Sequence, residues 1–275
     1  MDWNRRLAEL PDFEFQRTYK LSKDAFARLC DRIRPRLVVD DRQAMRSSGS
    51  SISPELRLSM TLRYLAGGHY LDIMHLHQVK SHASFYKIIW HVVDVLIMEL
   101  DDLAEFPIDD PAKLKTLSDG FYELSGQVVR GCVGALDGIA FKIHKPIQDD
   151  SMNPMAYWNR KGFFAIVCQA IRDADARFRW FTATAQGSCR DSTAWQMTAL
   201  AGALKVAGLR LGCWIAADDA YGNSDYLLCP YPGRRLDIPE DSFNYFQSKC
   251  RITIERAFGI LVARWQICEN RGSAR

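Results

Sequence analysis

Phe26, Leu29 and Ile33 recur at spacings of three and four behind the capped-looking start Leu21-Ser22-Lys23-Asp24, which predicts an amphipathic helix near the beginning of the chain. A second helix opens at Ser53-Pro54-Glu55, where proline suits the first helical position. It runs through Leu56, Leu58, Leu62 and Leu65 and stops at Gly67-Gly68. Between the two, residues 40–53 are polar and rich in Ser and Gly, as in a flexible connection. Helical patterns at 70–78 and 82–100 are separated only by Val79-Lys80-Ser81. A short helix, a tight turn and a longer helix are compatible with a helix-turn-helix, with Lys80 and Lys87 near the front of the second helix, and equally with an ordinary helical hairpin.

Residues 101–119 are acidic and contain Pro107 and Pro111, the composition of a boundary, and beyond them the period changes. Runs at 128–136, 139–143, 163–171 and 178–185 are rich in β-branched and aromatic residues, with Asp173-Ala174-Asp175-Ala176-Arg177 as a hairpin turn between the last two. Residues 191–209 then read as a helix and 213–217 as a buried strand. Residues 242–266 read as a long helix with the apolar face Phe246, Cys250, Ile254, Phe258, Leu261 and Trp265. Strands followed by alternating helix and strand predict an α/β fold, a mixed sheet flanked by helices, behind a helical amino-terminal domain. The expected division is 1–118 and 119–275.

Composition adds bounds. A chain of 275 residues with 48% apolar content can bury a sizeable core, and a net charge of +3 leaves any nucleic-acid contact to local clusters. The eight cysteines are scattered without a CxxC spacing, so they read as reduced core thiols. His75, His77 and His82 lack a companion ligand pair and read as solvated or capping residues. No apolar run approaches the roughly 20 residues of a membrane-spanning helix, and the first residues do not lead into a signal-peptide core. The expectation is a soluble intracellular protein with no membrane contact.

The candidate chemistry lies in four acids from separate elements. Asp137 and Gly138 interrupt a pattern that continues as strand on both sides, so an acid sits within the sheet, although Asp-Gly alone is an ordinary turn. Asp191 precedes Ser192 and Thr193 at a helix start, where it could cap amides, hold a metal, or both. Asp218 and Asp219 end a short buried strand, and alternation lets only one face inward; Asp218 is preferred. Glu255 shares a helical stripe with Arg251 and Gly259, which reads either as an exposed ion pair or as a close approach at the glycine. Ionised acids beside apolar residues are costly unless a cation compensates them, and several together suggest a shared divalent metal, Mg²⁺ or Mn²⁺.

Taken together, five ordered motifs resemble the DDE superfamily endonucleases of PIF/Harbinger-type transposases and their domesticated nuclease relatives. They are Gly134-Ala135-Leu136-Asp137-Gly138, Asn159-Arg160-Lys161-Gly162-Phe163-Phe164, Gln186-Gly187-Ser188-Cys189-Arg190-Asp191-Ser192, Ala217-Asp218-Asp219-Ala220-Tyr221, and Phe243-Asn244-Tyr245 through Arg251 to Gly259. The resemblance implies an RNase H-like core with catalytic acids Asp137, Asp218 and Glu255, and Asp191 as an additional metal-site acid. It implies DNA cleavage by a two-metal reaction in which Asp137 bridges the ions, Asp218 and Glu255 hold one side each, and a freed 3′ hydroxyl is available for strand transfer. Arg160, Lys161, Lys249, Arg251 and Arg256, with Lys80 and Lys87, are candidate DNA contacts.

The same likeness implies a separately encoded Myb-like partner; the expected location is nuclear, or cytoplasmic before import, and an oligomer is left open. The chain departs from the pattern where Ala217 replaces glycine, which leaves Asp219 as a rival to Asp218. It also finishes soon after Arg264-Trp265, where relatives continue. A clipped, catalytically inactive DNA-binding or scaffold protein is therefore the alternative to an endonuclease, and a metal-dependent ribonuclease on the same core is a third reading.

Overall fold

The computed structural model describes residues 3–37, 52–100, 105–147, 153–210, 212–233 and 235–269, without the side chains of residues 4–6 and 184. All but the last two residues of the connection expected at 40–53 lie outside them. The chain forms two compact units, Met1–Asp102 with Val262–Ile267, and Leu103–Leu261 with Cys268–Arg275.

The first unit is helical: α1 (Trp3–Glu9), α2 (Asp12–Tyr19), α3 (Lys23–Leu37), α4 (Pro54–Leu65), α5 (Tyr70–Leu76) and α6 (His82–Leu100). Ser22 Oγ accepts the Ala25 amide at 3.2 Å, and Ser53 Oγ accepts that of Leu56, so both hydroxyls satisfy amides that a first turn leaves free. Trp3 stacks on Phe26 at 4.9 Å, and Phe15, Tyr19, Ile33, Leu58, Leu62, Val92 and Val95 complete that core. His75 and His82 are exposed, whereas His77 departs from the expectation of a solvated side chain. It ends α5 as its C-cap, but the ring is buried. Nδ1 lies 2.9 Å from the Ile73 carbonyl and Nε2 3.2 Å from Ser59 Oγ, so both ring nitrogens are satisfied inside the core.

The second unit opens with α7 (Pro111–Leu124), capped by Asp110, which accepts the amides of Ala112 and Lys113. This helix crosses the sequence boundary drawn at residue 118 and packs on β1. The sheet contains β1 (Cys132–Lys142), β2 (Ala165–Arg172), β3 (Phe178–Gln186), β4 (Trp214–Ala216) and β5 (Leu227–Leu228) in the order β3-β2-β1-β4-β5. β1, β2 and β3 are antiparallel neighbours, while β4 runs parallel to β1 and β5 parallel to β4. The two runs read at 128–136 and 139–143 are one strand through Asp137 and Gly138, and β5, only two residues long, carried too little pattern to be expected.

The helix expected over 191–209 is two, α8 (Asp191–Gln196) and α9 (Ala199–Ala207). Thr198 causes the break. Its hydroxyl donates to the Trp195 carbonyl at 2.8 Å and accepts the Ala201 amide at 3.1 Å, ending one helix and capping the next. The last helix, α10 (Ile238–Arg264), begins four residues before the expected start. One face of the sheet packs Val133, Leu136, Ile171 and Ile215 against Leu114, Leu117, Trp195, Leu200 and Leu204. The other sets Ala135, Ala170 and Ala216 against Cys250, Ile254 and Phe258 of α10. Small residues on that face let the helix lie close to the strands. All eight cysteines are free thiols. Among the described residues no helix is long and apolar enough to cross a membrane.

Candidate active site

Asp137 sits at the middle of β1, opposite Ala170 of β2, and shares a face with Ala135 and Ile139, which pack beneath α10. Its own neighbour supplies one compensation, since the Gly138 amide donates to Oδ1 at 2.8 Å. Burial pushes its carboxyl up from the ordinary 3.8 to about 6, against the Gly138 hydrogen bond and the charge of Arg251. The negative charges of Asp191 and Asp218 add to the rise. Acids from β1, the start of α8 and the end of β4 therefore act in one electrostatic field.

Asp191 does not cap its helix. Arg190 occupies the N-cap position without a side-chain bond, and Asp191 is the first helical residue. Its carboxylate instead reaches the sheet on the face opposite Asp137, over Gly138. A Cβ at Gly138 would lie 2.4 Å from Asp191 Oδ1 and 2.7 Å from Gln169 Nε2, so the absent side chain makes room for both. Gln169 faces Gly138 in the strand register, and its Oε1 accepts the Tyr221 hydroxyl at 2.6 Å. Burial raises the Tyr221 phenol well above its usual range, followed by the charges of Asp137, Asp191 and Asp218. The sequence reading gave Gln169 no role and Tyr221 only a place at the end of the Ala217–Tyr221 motif. The available signal was a glutamine inside the apolar run Ala165-Ile166-Val167-Cys168-Gln169-Ala170-Ile171, where an unneutralised polar side chain needs a reason.

β4 ends one residue short of the expected strand, and Asp218 then caps a single 3-10 turn over Asp219–Tyr221, accepting the Asp219 amide at 2.7 Å. Asp218 is half-buried and Asp219 exposed. The Asp219 carboxyl is raised by its hydrogen bond with the Asp218 side chain and by the charge of that neighbour. Glu255 is exposed on α10 and paired with Arg251 Nη1 at 2.6 Å, which is the plain ion-pair alternative. The close approach suggested for Gly259 is absent, because a Cβ there would meet nothing within 4 Å. Arg251 supplies the positive charge felt by both Asp137 and Asp219 while bonding Glu255. Among the described residues, no three His, Cys, Asp or Glu side chains are gathered closely enough to hold a metal ion as they stand.

Of the candidate DNA contacts, Arg160, Lys161, Lys249 and Arg256 are exposed on the sheet unit and Arg251 is half-buried there, whereas Lys80 and Lys87 are exposed on the helical unit. The Lys249 ammonium lies 4.9 Å from the Tyr245 ring centre. Arg160 and Lys161 ride on a turn fixed by Asn159, whose Oδ1 accepts the Lys161 amide at 2.8 Å and whose Nδ2 donates to the Gly187 carbonyl at 3.2 Å. Ser188 N also donates to Ala156 O at 3.0 Å, so this basic turn is tied to the loop that delivers Asp191.

A mixed sheet flanked by helices is consistent with what sequence comparison finds. Residues 136–274 match the DDE superfamily endonuclease family, and the chain belongs to it. It is similar to "Putative nuclease HARBI1" of Homo sapiens, with 26% identity over 82% of this chain and 62% of that protein, and to the Bos taurus protein of the same name at 25% over the same shares. It also resembles "Protein ALP1-like" of Arabidopsis thaliana, with 23% identity over 92% of this chain and 63% of that protein. The chain thus spans about three fifths of the length of these curated relatives. No solved structure matches it.

Proposed function

We propose that the sheet unit is a divalent-metal-dependent endonuclease that hydrolyses DNA phosphodiester bonds on an RNase H-like core. The strand order, three antiparallel strands followed by two parallel additions beside β1, supports that core assignment. The observation that carries the function is Asp137: a mid-strand carboxyl raised to about 6, within the field of the like charges of Asp191 and Asp218. Such a group is unfavourable in a structural sheet and useful where a cation is to be held. Hard carboxylate oxygens suit Mg²⁺ or Mn²⁺, and DDE superfamily endonucleases use divalent metals.

Asp137 and Asp218, with Asp191 reaching round from the other face of the strand, would hold the metal. Glu255 would join after exchanging its bond to Arg251. A bound divalent ion supplies Lewis acidity toward water and toward the leaving oxygen of a phosphodiester. Arg251, half-buried between Glu255 and the aspartates, would then be released toward a phosphate. Arg160, Lys161, Lys249 and Arg256 would place the duplex without reading its sequence.

Nicking of supercoiled plasmid in Mn²⁺, with and without EDTA, tests this reading. Parent protein should cut only in the metal, and Asp137→Asn should lose at least about a hundredfold in rate. Equal cutting by parent and Asp137→Asn would exclude Asp137 as a catalytic residue. A second reading, a non-cutting DNA-binding protein on the same fold, is favoured by one observation, the engagement of Glu255 with Arg251. Salt-sensitive DNA binding without cleavage in Mg²⁺ or Mn²⁺ would select it.

A further inference from the structure

The side chain of Gln169 is buried, with 1% of the residue exposed, and its Nε2 meets no acceptor. A buried donor left unpaired costs about 1–3 kcal/mol, so its surroundings must hold it in that orientation. Two neighbours do so. The Tyr221 hydroxyl, itself buried, donates to Oε1 at 2.6 Å and fixes which end of the amide faces the phenol. On the other side stands Asp191, whose ionised carboxylate can only accept. Turning the amide over would aim Oε1 at Asp191 Oδ1 and set two acceptors against each other. The amide donor and the carboxylate oxygen flank the same point, 2.7 and 2.4 Å from where a Gly138 Cβ would stand, which makes the carboxylate the nearest acceptor on that side of the amide for the proposal below.

We propose that Gln169 and Tyr221 are positioning residues: Tyr221 holds the Gln169 amide, and the amide holds the Asp191 carboxylate over Gly138 in the attitude that receives a divalent ion. The inference rests on the metal-dependent reading of the site. It assigns Tyr221 a task separate from any contact with substrate, because the hydroxyl is spent on Oε1. It also explains why a glutamine is buried within the apolar run of residues 165–171.

Mn²⁺ affinity of the full chain, read from the electron paramagnetic resonance signal of the free ion, tests the proposal, with thermal unfolding of each metal-free protein in parallel. Tyr221→Phe and Gln169→Met should each weaken Mn²⁺ binding about ten- to a hundredfold, the usual range for partners that orient a metal ligand. The double variant should bind no more weakly than Gln169→Met alone, since Tyr221 acts through Gln169. With Asp191→Asn already present, Gln169→Met should change nothing further.

If the parent binds Mn²⁺ and Tyr221→Phe binds it as tightly, the proposal is overturned while the metal site stands. A full additional loss on top of Asp191→Asn would also overturn it. A parent that takes up no Mn²⁺ sinks the metal reading and this inference with it. Tyr221→Phe removes a single oxygen, so it decides the question by itself should Gln169→Met fail to fold.

Discussion

Asp137→Asn should make the protein more stable at neutral pH while removing the group on which cleavage is proposed to depend. In the folded protein this carboxyl titrates at about 6, and in the unfolded chain at the ordinary 3.8. Between those pH values the native state holds a proton that the unfolded state has released, so stability falls as pH rises through the window and stays reduced above it. A difference of roughly 2 units corresponds to about 3 kcal/mol. Asparagine has nearly the same shape, and its side-chain oxygen can keep the Gly138 amide now at 2.8 Å, but it has no charge to bury. The variant should therefore gain up to about 3 kcal/mol near pH 7.5, and the gain should vanish below about pH 4. Urea unfolding of both proteins in EDTA across that range measures it. Equal stability near neutral pH, or a gap that does not change with pH, would refute the reasoning. Added Mn²⁺ should narrow the gap, because only the parent gains from the ion.

Other substitutions probe the same neighbourhood. Gly138→Ala places a Cβ 2.4 Å from Asp191 Oδ1 and should cost roughly 1–3 kcal/mol together with most of any cleavage activity; unchanged urea midpoints would show that Asp191 can step aside freely. Arg251→Ala removes the positive charge that holds Asp137 down, so the Asp137 carboxyl should titrate above its present value of about 6, as read by carboxyl-carbon NMR; an unmoved midpoint contradicts the field described above. Arg172 is buried and donates to the carbonyls of Asp173, Ala174 and Thr253, joining the β2–β3 turn to α10, so Arg172→Met should lower unfolding free energy by roughly 2–5 kcal/mol. A loss below about 1 kcal/mol would mean that water replaces those bonds at little cost.

Period and side-chain type carried the sheet further than the helices. β1 was legible through its own acid because apolar and β-branched residues continue on both sides of Asp137-Gly138, and a strand that long tolerates one polar position. The turn at 173–177 was legible from its polar residues, and Asp173 Oδ1 indeed accepts the amides of Asp175 and Arg177. The break at Thr198 was not, because a threonine within a helical pattern can bond outward, along the helix or into its end, and only the positions of Trp195 and Ala201 decide which. Asp191 shows the same limit. Its place at a helix start was readable, but capping needs the residue one position earlier, and that position went to Arg190.

Glu255 marks where sequence pattern stops and packing begins. Spacing correctly put Arg251 and Glu255 on one stripe of α10, yet the stripe alone does not say whether the acid faces the sheet or the solvent. The answer comes from the small side chains beneath the helix: Ala135, Ala170 and Ala216 let Cys250 and Ile254 sink against the strands, which brings Arg251 into the field of Asp137 and leaves Glu255 on the outer side, bonded to the same guanidinium. One arginine thus answers two sets of negative charge, the aspartates of the sheet and the glutamate of its own helix. A cation with stronger claims on the aspartates would free that arginine, and with it the glutamate. Under the proposed metal-dependent reading, the Glu255 that would join the site and the Glu255 paired with Arg251 are two states of one charge balance.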